Sequence, residues 1–182
     1  MLDKAIQFAT AAHSGVNRKG TNKPYLLHVI EVGVITAGIL SRSGLYDEDV
    51  VCAAVLHDVM EDAKVNQEAL RTIFNQRVAD LVQVMSEDKS RSWKQRKQHT
   101  IDVLARETDM DHKTIALSDK LSNMRALQID YDQLGEELWE RFTEKNKSEQ
   151  GWYYSSLVDC FHEMEYLPEF QEYKYLVAKV FA

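Results

Sequence analysis

Residues 50–62 are Val50-Val51-Cys52-Ala53-Ala54-Val55-Leu56-His57-Asp58-Val59-Met60-Glu61-Asp62, an apolar run that ends in one imidazole and three carboxylates. The run indicates a segment of the hydrophobic core, and ionisable groups at the end of such a segment are costly unless they have partners. A divalent metal ion such as Mn, Fe or Zn best suits imidazole nitrogen together with carboxylate oxygen. The motif therefore predicts a metal site whose other ligands lie elsewhere in the chain.

The length and composition of the chain favour one all-α domain. A chain of 182 residues normally forms a single domain with a sizeable core, and we expect residues 1–182 to do so. The chain contains only 2 Pro and 7 Gly, and 45% of its residues are hydrophobic. This composition favours long uninterrupted helices. The spacing of apolar residues predicts helices at 2–14, 24–41, 47–57 with Asp47 as N-cap, 66–86, 93–107, 110–127, 131–145 and 149–165, and another after Pro168.

The charge and the lengths of the apolar runs exclude several classes of function. The formal net charge of −7 argues against general binding of nucleic acid or anionic membranes, because such binding rests on clustered positive charge. No apolar run approaches the roughly 18 residues that span a bilayer, and the first residues lack a secretory pattern. Cys52 and Cys160 are expected to be buried reduced thiols. We therefore expect a cytoplasmic protein with no nucleic acid or membrane partner, and the sequence leaves its oligomeric state open.

Two basic patches depart from this acidic background. Arg18 and Lys19 lie together near the start, and residues 89–97 hold five basic side chains around Trp93, beginning with Lys89. The usual role of such runs is a solvated surface. The other role, contact with phosphate groups, depends on what lies beside them.

Two further residues are candidates for the missing metal ligands. His28 follows Pro24 by four residues on the second predicted helix, and Asp119 lies in the apolar helical context of residues 116–121. Taken singly, His28 is more often an ordinary core or surface histidine and Asp119 a salt-bridge partner. Together with His57 and Asp58 they form a set of two nitrogens and two oxygens. Such a set leaves room for water at the ion, as a catalytic rather than a structural metal requires.

Helical spacing relates three more polar side chains to these ligands. Glu61 follows His57 by four residues and Asp62 follows Asp58 by four, so a continued turn would direct both toward the ligands. In that position the two carboxylates would exchange protons with a water at the metal or with a leaving group. Asn123 follows Asp119 by four residues and would face the same side. The alternative for Glu61 and Asp62 is an acidic helix end exposed to solvent.

The order of a first His, a His-Asp doublet and a distant Asp resembles that of the HD metal-dependent phosphohydrolases. Closer similarity is to the hydrolase domain of RelA/SpoT-type proteins, and to the stand-alone small alarmone hydrolases, including the metazoan SpoT homologue, because 182 residues leave no room for a synthetase domain. The matching motifs lie within residues 9–125, and 131–182 would add C-terminal helices. The resemblance rests on Ala12-His13-Ser14-Gly15, Arg18-Lys19-Gly20-Thr21, Pro24-Tyr25-Leu26-Leu27-His28, the HDxxED segment His57–Asp62, and Asp119-Lys120-Leu121-Ser122-Asn123-Met124-Arg125.

The resemblance implies an HD-type helical bundle that uses Mn²⁺, or another divalent metal, to remove the 3′-pyrophosphate of guanosine tetra- or pentaphosphate (ppGpp, pppGpp), leaving GDP or GTP plus pyrophosphate. Val29 departs from the family pattern, since many relatives have proline there. The resemblance implies metal ligation for His28, His57, Asp58 and Asp119, catalysis for Glu61 and Asp62, and substrate contacts for Arg18 and Asn123. Further candidates for substrate contacts, beyond those that the resemblance implies, are Lys19, Lys89 and Tyr153.

Three other functions stay open from the sequence. An HD phosphohydrolase acting on another nucleotide or phosphoester would use the same ligands, because the surrounding loops choose the substrate. A module that binds an alarmone without turnover would be expected to lack Glu61 or Asp62, and both are present. A purely structural helical protein would leave the His57–Asp62 cluster without a purpose. For Tyr153, an aromatic stripe at a helix start is more often core than a nucleotide contact.

Overall fold

The structure, a computed structural model, describes residues 1–86 and 88–182, and the regular elements of this part of the chain are helices. The prediction of an all-α fold is confirmed. None of the helices in the described ranges is both long and apolar enough to cross a membrane. The α-helices are α1 (Leu2–Ala12), α2 (Leu26–Arg42), α3 (Glu48–Leu56), α4 (Val59–Asp62), α5 (Gln67–Ile73), α6 (Gln76–Met85), α7 (Trp93–Arg106), α8 (Met110–Leu134), α9 (Lys147–Cys160) and α10 (Pro168–Phe181), with 3₁₀ helices at Gly135–Arg141 and His162–Met164.

Polar side chains set the starts of several helices. The Asp47 carboxylate accepts from the backbone N–H of Asp49 and caps α3, as the sequence predicts. Ser92 and Gln95 form a capping box at the start of α7. Such side chains satisfy backbone donors that a helix leaves unpaired, which fixes where each helix begins.

The helix predicted over 66–86 is two helices, α5 and α6. The break falls at Phe74 and Asn75, whose backbone leaves the helical region, with φ −165° and ψ 178° at Asn75. The Asn75 side chain accepts from the N–H of Val78 and so caps α6. Asparagine favours this local hydrogen bond over a place inside a helix, which explains why apolar spacing alone misses the break.

The predicted boundary between 110–127 and 131–145 is also wrong. Helix α8 continues for 25 residues through Leu134 because neither Pro nor Gly interrupts it. Gly135, with φ +56°, ends the helix in a conformation that costs glycine little, and a 3₁₀ segment follows.

The described chain forms two compact units, and the expectation of one domain over 1–182 stays a prediction. The first unit comprises residues up to 86 and Asp109–Asp119, and the second comprises Asp88–Thr108 and Lys120–Ala182. In the first unit α3 packs against α1, α2 and α6, and every residue from Val50 to His57 is buried. In the second unit α9 packs against α7 and α10.

The two cysteines are free thiols and are buried, as predicted. Cys52 lies in the core of the first unit among α3 residues. Cys160 is at the end of α9 in the second unit, where its thiol donates to the carbonyl of Ile101.

Close approach of α2 to α3 depends on Gly33. A Cβ atom at position 33 would lie 2.5 Å from Cγ2 of Val55 on α3, whereas a Cβ at Gly38 would meet only Nη1 of Arg42 at 3.4 Å. The first contact requires the backbones or Val55 to shift, and the second is relieved by moving a flexible side chain. The spacing of the two helices that carry His28 and His57 therefore depends on the missing side chain at Gly33.

We expect Gly33→Ala to lower the free energy of unfolding by about 1–3 kcal/mol, because the added methyl group overpacks the α2–α3 contact. The matched substitution Gly38→Ala should instead leave stability unchanged or raise it by up to about 1 kcal/mol, since alanine favours a helix over glycine. Urea unfolding followed by circular dichroism measures both variants. Equal stability of the two variants would show that the α2–α3 contact tolerates a methyl group.

Candidate metal centre

Three segments of the first unit bring the predicted ligands together. His28 lies in the first turn of α2, His57 and Asp58 directly follow α3, and Asp119 lies on α8. The side chains of both histidines are 1% exposed and that of Asp119 is 7% exposed, while Asp58 is 21% exposed. The cluster is thus a polar group inside the core that reaches solvent at Asp58.

The donor atoms of the four residues are close enough to share one ion. One donor atom each of His28, His57 and Asp119 lies within 4.8 Å of the other two. Nε2 of His28 is 3.2 Å from Oδ1 of Asp119, and Nε2 of His57 is 3.8 Å from the same oxygen. Oδ2 of Asp58 lies 2.9 Å from Nε2 of His57 and 3.9 Å from Nε2 of His28. Two ligands that each lie about 2.1 Å from one ion are roughly 3.0–3.4 Å apart when adjacent and at most about 4.2 Å apart, so separations of 2.9–3.9 Å are compatible with one divalent metal.

Hydrogen bonding prepares the His57 ring for ligation. Nδ1 lies 2.8 Å from the carbonyl oxygen of Ala54, and since a carbonyl only accepts, Nδ1 carries the proton. Nε2 is buried, and its contact with Asp58 lacks the alignment of a hydrogen bond in the described structure. A ring held in this way directs the Nε2 lone pair at the cluster, which is the arrangement of a metal-bound histidine.

Burial and the neighbouring carboxylates shift the pKa values of the ligands. Burial disfavours charged His57, but Asp58 and Asp119 outweigh it and raise the pKa of His57 to about 9. Burial would raise the pKa of Asp58, yet protonated His57 holds it well below its usual range. Burial lowers the pKa of His28 against the opposing effect of Asp119. A cation in the cluster replaces the His57 proton, so metal affinity decreases as the pH falls.

Tyr25 supports the cluster, although the sequence analysis gave it no role. Its hydroxyl donates a hydrogen bond of 2.5 Å to Oδ2 of Asp58. Burial and the nearby carboxylates raise the pKa of Tyr25 far above its usual range, so the hydroxyl keeps its proton and remains a donor. Its ring packs against the ring of His28, with centroids 5.3 Å apart. A tyrosine three residues before a predicted ligand is the signal that sequence reasoning could have used.

The predicted catalytic carboxylates follow the ligands by one turn. The N–H of Asp62 donates to the carbonyl of Asp58 at 2.9 Å, so the chain continues to turn between these residues although α3 has ended. Both carboxylates lie on the short helix α4, where Glu61 is half-buried and Asp62 is exposed. The structure therefore places Asp62 beside the ligands, at the edge of the cluster that faces solvent.

The basic loop before α2 is folded back on itself. The N–H of Arg18 donates to the carbonyl of Lys23 at 2.8 Å, and the N–H of Tyr25 donates to the carbonyl of Val16 at 2.8 Å. Gly20, with φ +69°, lies at the tip of this loop. Arg18 and Lys19 are thereby held on an ordered loop that leads directly into the first ligand-bearing helix.

The other predicted substrate contacts belong to the second unit. Asn123 lies one helical turn after Asp119 along α8, and Lys89 is exposed in the turn before α7. Tyr153 is 2% exposed on α9 and packs against Trp93, and the ammonium group of Lys97 lies 4.8 Å from its ring centroid. The burial of Tyr153 agrees with the alternative, a core aromatic.

Four further histidines lie outside the predicted site. His99 and His162 are exposed, whereas His112 is 3% exposed on α8. His13, which the motif comparison includes without a role, is also 3% exposed. Its Nδ1 lies 4.0 Å from Oδ2 of Asp62, so it is a second neighbour of the cluster that the sequence analysis missed.

Comparison with known proteins shows the family to which the chain belongs. The model of the HD domain family matches residues 5–147. The chain is 35% identical over 127 residues to the guanosine-3′,5′-bis(diphosphate) 3′-pyrophosphohydrolase MESH1 of Drosophila melanogaster, covering 69% of each protein. A solved structure of a metazoan orthologue of SpoT that hydrolyses ppGpp matches with a TM-score of 0.74 and 27% identity, over 99% of this chain and 93% of that one.

A bacterial structure gives the same result. A protein of Listeria monocytogenes EGD-e, 32% identical, matches with a TM-score of 0.74 over 85% of this chain and 98% of its own. The predicted resemblance to HD-domain alarmone hydrolases and the predicted helical bundle are thereby confirmed.

We expect Tyr25→Phe to weaken divalent metal binding by about 10–100-fold, because the Asp58 carboxylate loses the donor that orients it while the ring packing is kept. Titration of the purified protein with Mn²⁺ by calorimetry measures the affinity. The matched control is Tyr46→Phe, because Tyr46 is 55% exposed. The Tyr46→Phe variant should bind Mn²⁺ with the affinity of the unmodified protein. An unchanged affinity in Tyr25→Phe would mean that Asp58 is positioned without its help.

Proposed function

Because the chain belongs to the HD-domain family of small alarmone hydrolases, we propose that it removes the 3′-pyrophosphate of ppGpp and pppGpp, giving GDP or GTP plus pyrophosphate. The observation that carries the proposal is the convergence of two imidazoles and two carboxylates beside a second pair of carboxylates one turn further along the chain. An alarmone substrate would link this activity to the stringent response, and we propose that it takes place in the cytoplasm. The net charge of −7 disfavours binding of nucleic acid by this protein.

His28, His57, Asp58 and Asp119 would hold the metal, which we propose to be Mn²⁺. The bound ion supplies two kinds of chemistry, acidifying water at the site and neutralising the phosphate oxygens under attack. The protein contributes the buried walls around the ligands and the hydrogen bonds that Ala54 and Tyr25 make to them. Nitrogen and oxygen donors in equal number suit Mn²⁺, and they suit Zn²⁺ or Fe²⁺ as well.

Glu61 and Asp62 would handle the protons of the reaction. Water attacks the phosphorus attached to the ribose O3′, the bond from O3′ to phosphorus breaks, and the attacked group becomes pyrophosphate while the nucleotide is the leaving group. A carboxylate takes one proton from the attacking water, and O3′ gains a proton as the nucleotide departs. Asp62 supports this role because it is exposed next to the ligands, where a carboxylate exchanges its proton with solvent after each turnover.

Basic and amide side chains would bind the nucleotide. Arg18 presents a planar guanidinium that matches phosphate oxygens in pairs, and Lys19 adds a second positive charge beside it. Asn123 would contact the ribose or the 3′-phosphate, and Lys89 a further phosphate. For Tyr153 a contact with the nucleotide requires the ring to face the ligand from a largely buried position.

The experiment that tests this function is incubation of the protein and Mn²⁺ with a nucleotide panel. The panel holds ppGpp, pppGpp, deoxynucleoside triphosphates, cyclic dinucleotides and 5′-nucleotides, and chromatography with a pyrophosphate assay follows the products. We expect pyrophosphate only from ppGpp and pppGpp. Faster turnover of any other member would assign the site to a different nucleotide.

The ligand variant His57→Ala serves as the inactive control of this panel. It removes one donor and leaves Asp58 and Asp119 without its positive charge, so bound metal and turnover should be lost together. Metal analysis and circular dichroism are recorded on the same sample. Full activity of a folded His57→Ala protein would contradict a role for His57 as a metal ligand.

We expect Glu61→Gln and Asp62→Asn to keep metal content near that of the unmodified protein while kcat on ppGpp falls by about 10²–10⁴-fold. Each amide preserves the shape of the side chain but no longer accepts a proton. Glu68→Gln is the matched control, because the Glu68 side chain is exposed on α5 and pairs with Arg71. Unchanged kcat in both Glu61→Gln and Asp62→Asn would remove these residues from the reaction.

A further inference from the structure

His13 carries a buried imidazole to which the proposed reaction assigns no role. It lies at the end of α1, where its backbone N–H donates to the carbonyl of Ala9. Its side chain is 0% exposed, and neither ring nitrogen has a hydrogen-bond partner among the described residues. Buried polar atoms are nearly always paired in folded proteins, and an unpaired one is costly. A histidine retained in this position therefore calls for a partner nearby.

The partner within reach is the Asp62 carboxylate. Nδ1 of His13 lies 4.0 Å from Oδ2 of Asp62, which is beyond hydrogen-bonding distance but within reach of a small rotation of a side chain that is 30% exposed. On its other side the ring packs against that of Tyr25, with centroids 5.1 Å apart. Tyr25 holds the imidazole in place, so the carboxylate is the partner that can move.

The His13 ring is suited to be a neutral donor. Burial lowers its pKa, although the carboxylates of Asp58 and Asp62 act in the opposite direction. A neutral imidazole donates through one nitrogen and orients an acceptor without adding a positive charge. A carboxylate held by such a donor keeps its ability to take up a proton.

We propose that His13 is a positioning residue, which donates a hydrogen bond from Nδ1 to the Asp62 carboxylate and aims it at the attacking water. The inference rests on the proposed function of Asp62. His13 touches neither the substrate nor the metal in this role. His13 would orient the Asp62 carboxylate by a hydrogen bond, as the Tyr25 hydroxyl orients the Asp58 carboxylate.

Substitutions of His13 separate this role from a structural one. An asparagine amide nitrogen occupies the place of Nδ1 and a glutamine amide nitrogen that of Nε2. We expect His13→Ala and His13→Gln to lower kcat on ppGpp by about 10–100-fold with KM and metal content unchanged, and His13→Asn to recover most of kcat. Ser14→Ala, in the same turn but exposed, is the control with normal activity. Equal kcat in the Asn and Gln variants would overturn the assignment of Nδ1.

A double-mutant cycle tests whether His13 acts through Asp62. In an Asp62→Asn background, His13→Ala should reduce kcat by less than threefold, because the carboxylate it positions is already gone. Multiplicative losses in the double variant would overturn the proposal. Absence of ppGpp turnover by the unmodified protein would be a failure of the proposed function, not of this contact.

A measurement without substrate or metal distinguishes failure of the His13–Asp62 contact from failure of the proposed function. Nitrogen-15 spectra of the histidine rings in the metal-free protein report which ring nitrogen of His13 carries the proton. We expect Nδ1 to be protonated, and its signal to shift in Asp62→Ala but not in Glu68→Gln. The proposal would be overturned if Nδ1 is unprotonated, or if its chemical shift does not change in Asp62→Ala. This holds whether or not the protein hydrolyses ppGpp.

Discussion

The burial of two imidazoles against two carboxylates is the constraint on which the rest of this structure depends. Four such groups come from three helical segments in the core of the first unit, and their imidazole nitrogens lie 2.9–3.9 Å from the carboxylate oxygens. Without a cation, the cluster relies on a proton held on His57 at a pKa raised to about 9. A divalent ion neutralises the carboxylates and uses the imidazole nitrogens at the same time, which a proton on one ring cannot do. The same cluster thus explains both the chemistry of the site and the arrangement of the helices around it.

The apolar helix α3 fixes the positions of the side chains in this cluster. Its residues from Val50 to Leu56 are buried, since α1, α2 and α6 pack against it, and the predicted ligands His57 and Asp58 follow at its end. Close packing leaves little freedom for a side chain attached to such a helix. Contact between Gly33 and Val55 sets the distance from α2, which carries His28. Hydrogen bonds from the His57 ring to Ala54 and from Tyr25 to Asp58 then fix the orientation of individual ligands.

The sequence predicted the parts of the site that depend on residue type and local spacing. An apolar run followed by His57 and Asp58 has few explanations other than a buried metal site, and the turn from Asp58 to Asp62 preserves the spacing of a helix. Tyr25 and His13 were missed because their roles come from tertiary contacts, across 33 residues for Tyr25 and Asp58 and 49 for His13 and Asp62. The break at Asn75 was missed because one side-chain hydrogen bond outweighed the apolar pattern of residues 66–86.

Exposure of the side chains increases in a consistent order from the two histidines of the cluster to Asp62. The side chains of His28 and His57 are 1% exposed, Asp58 is 21% exposed and Asp62 is 30% exposed. Donors in a dry environment bind a cation more strongly, because water does not compete for it. A carboxylate that takes up a proton during each reaction must release it again, which requires contact with solvent. The chain meets both requirements within six residues, by ending an apolar helix at His57 and continuing its turn outward to Asp62.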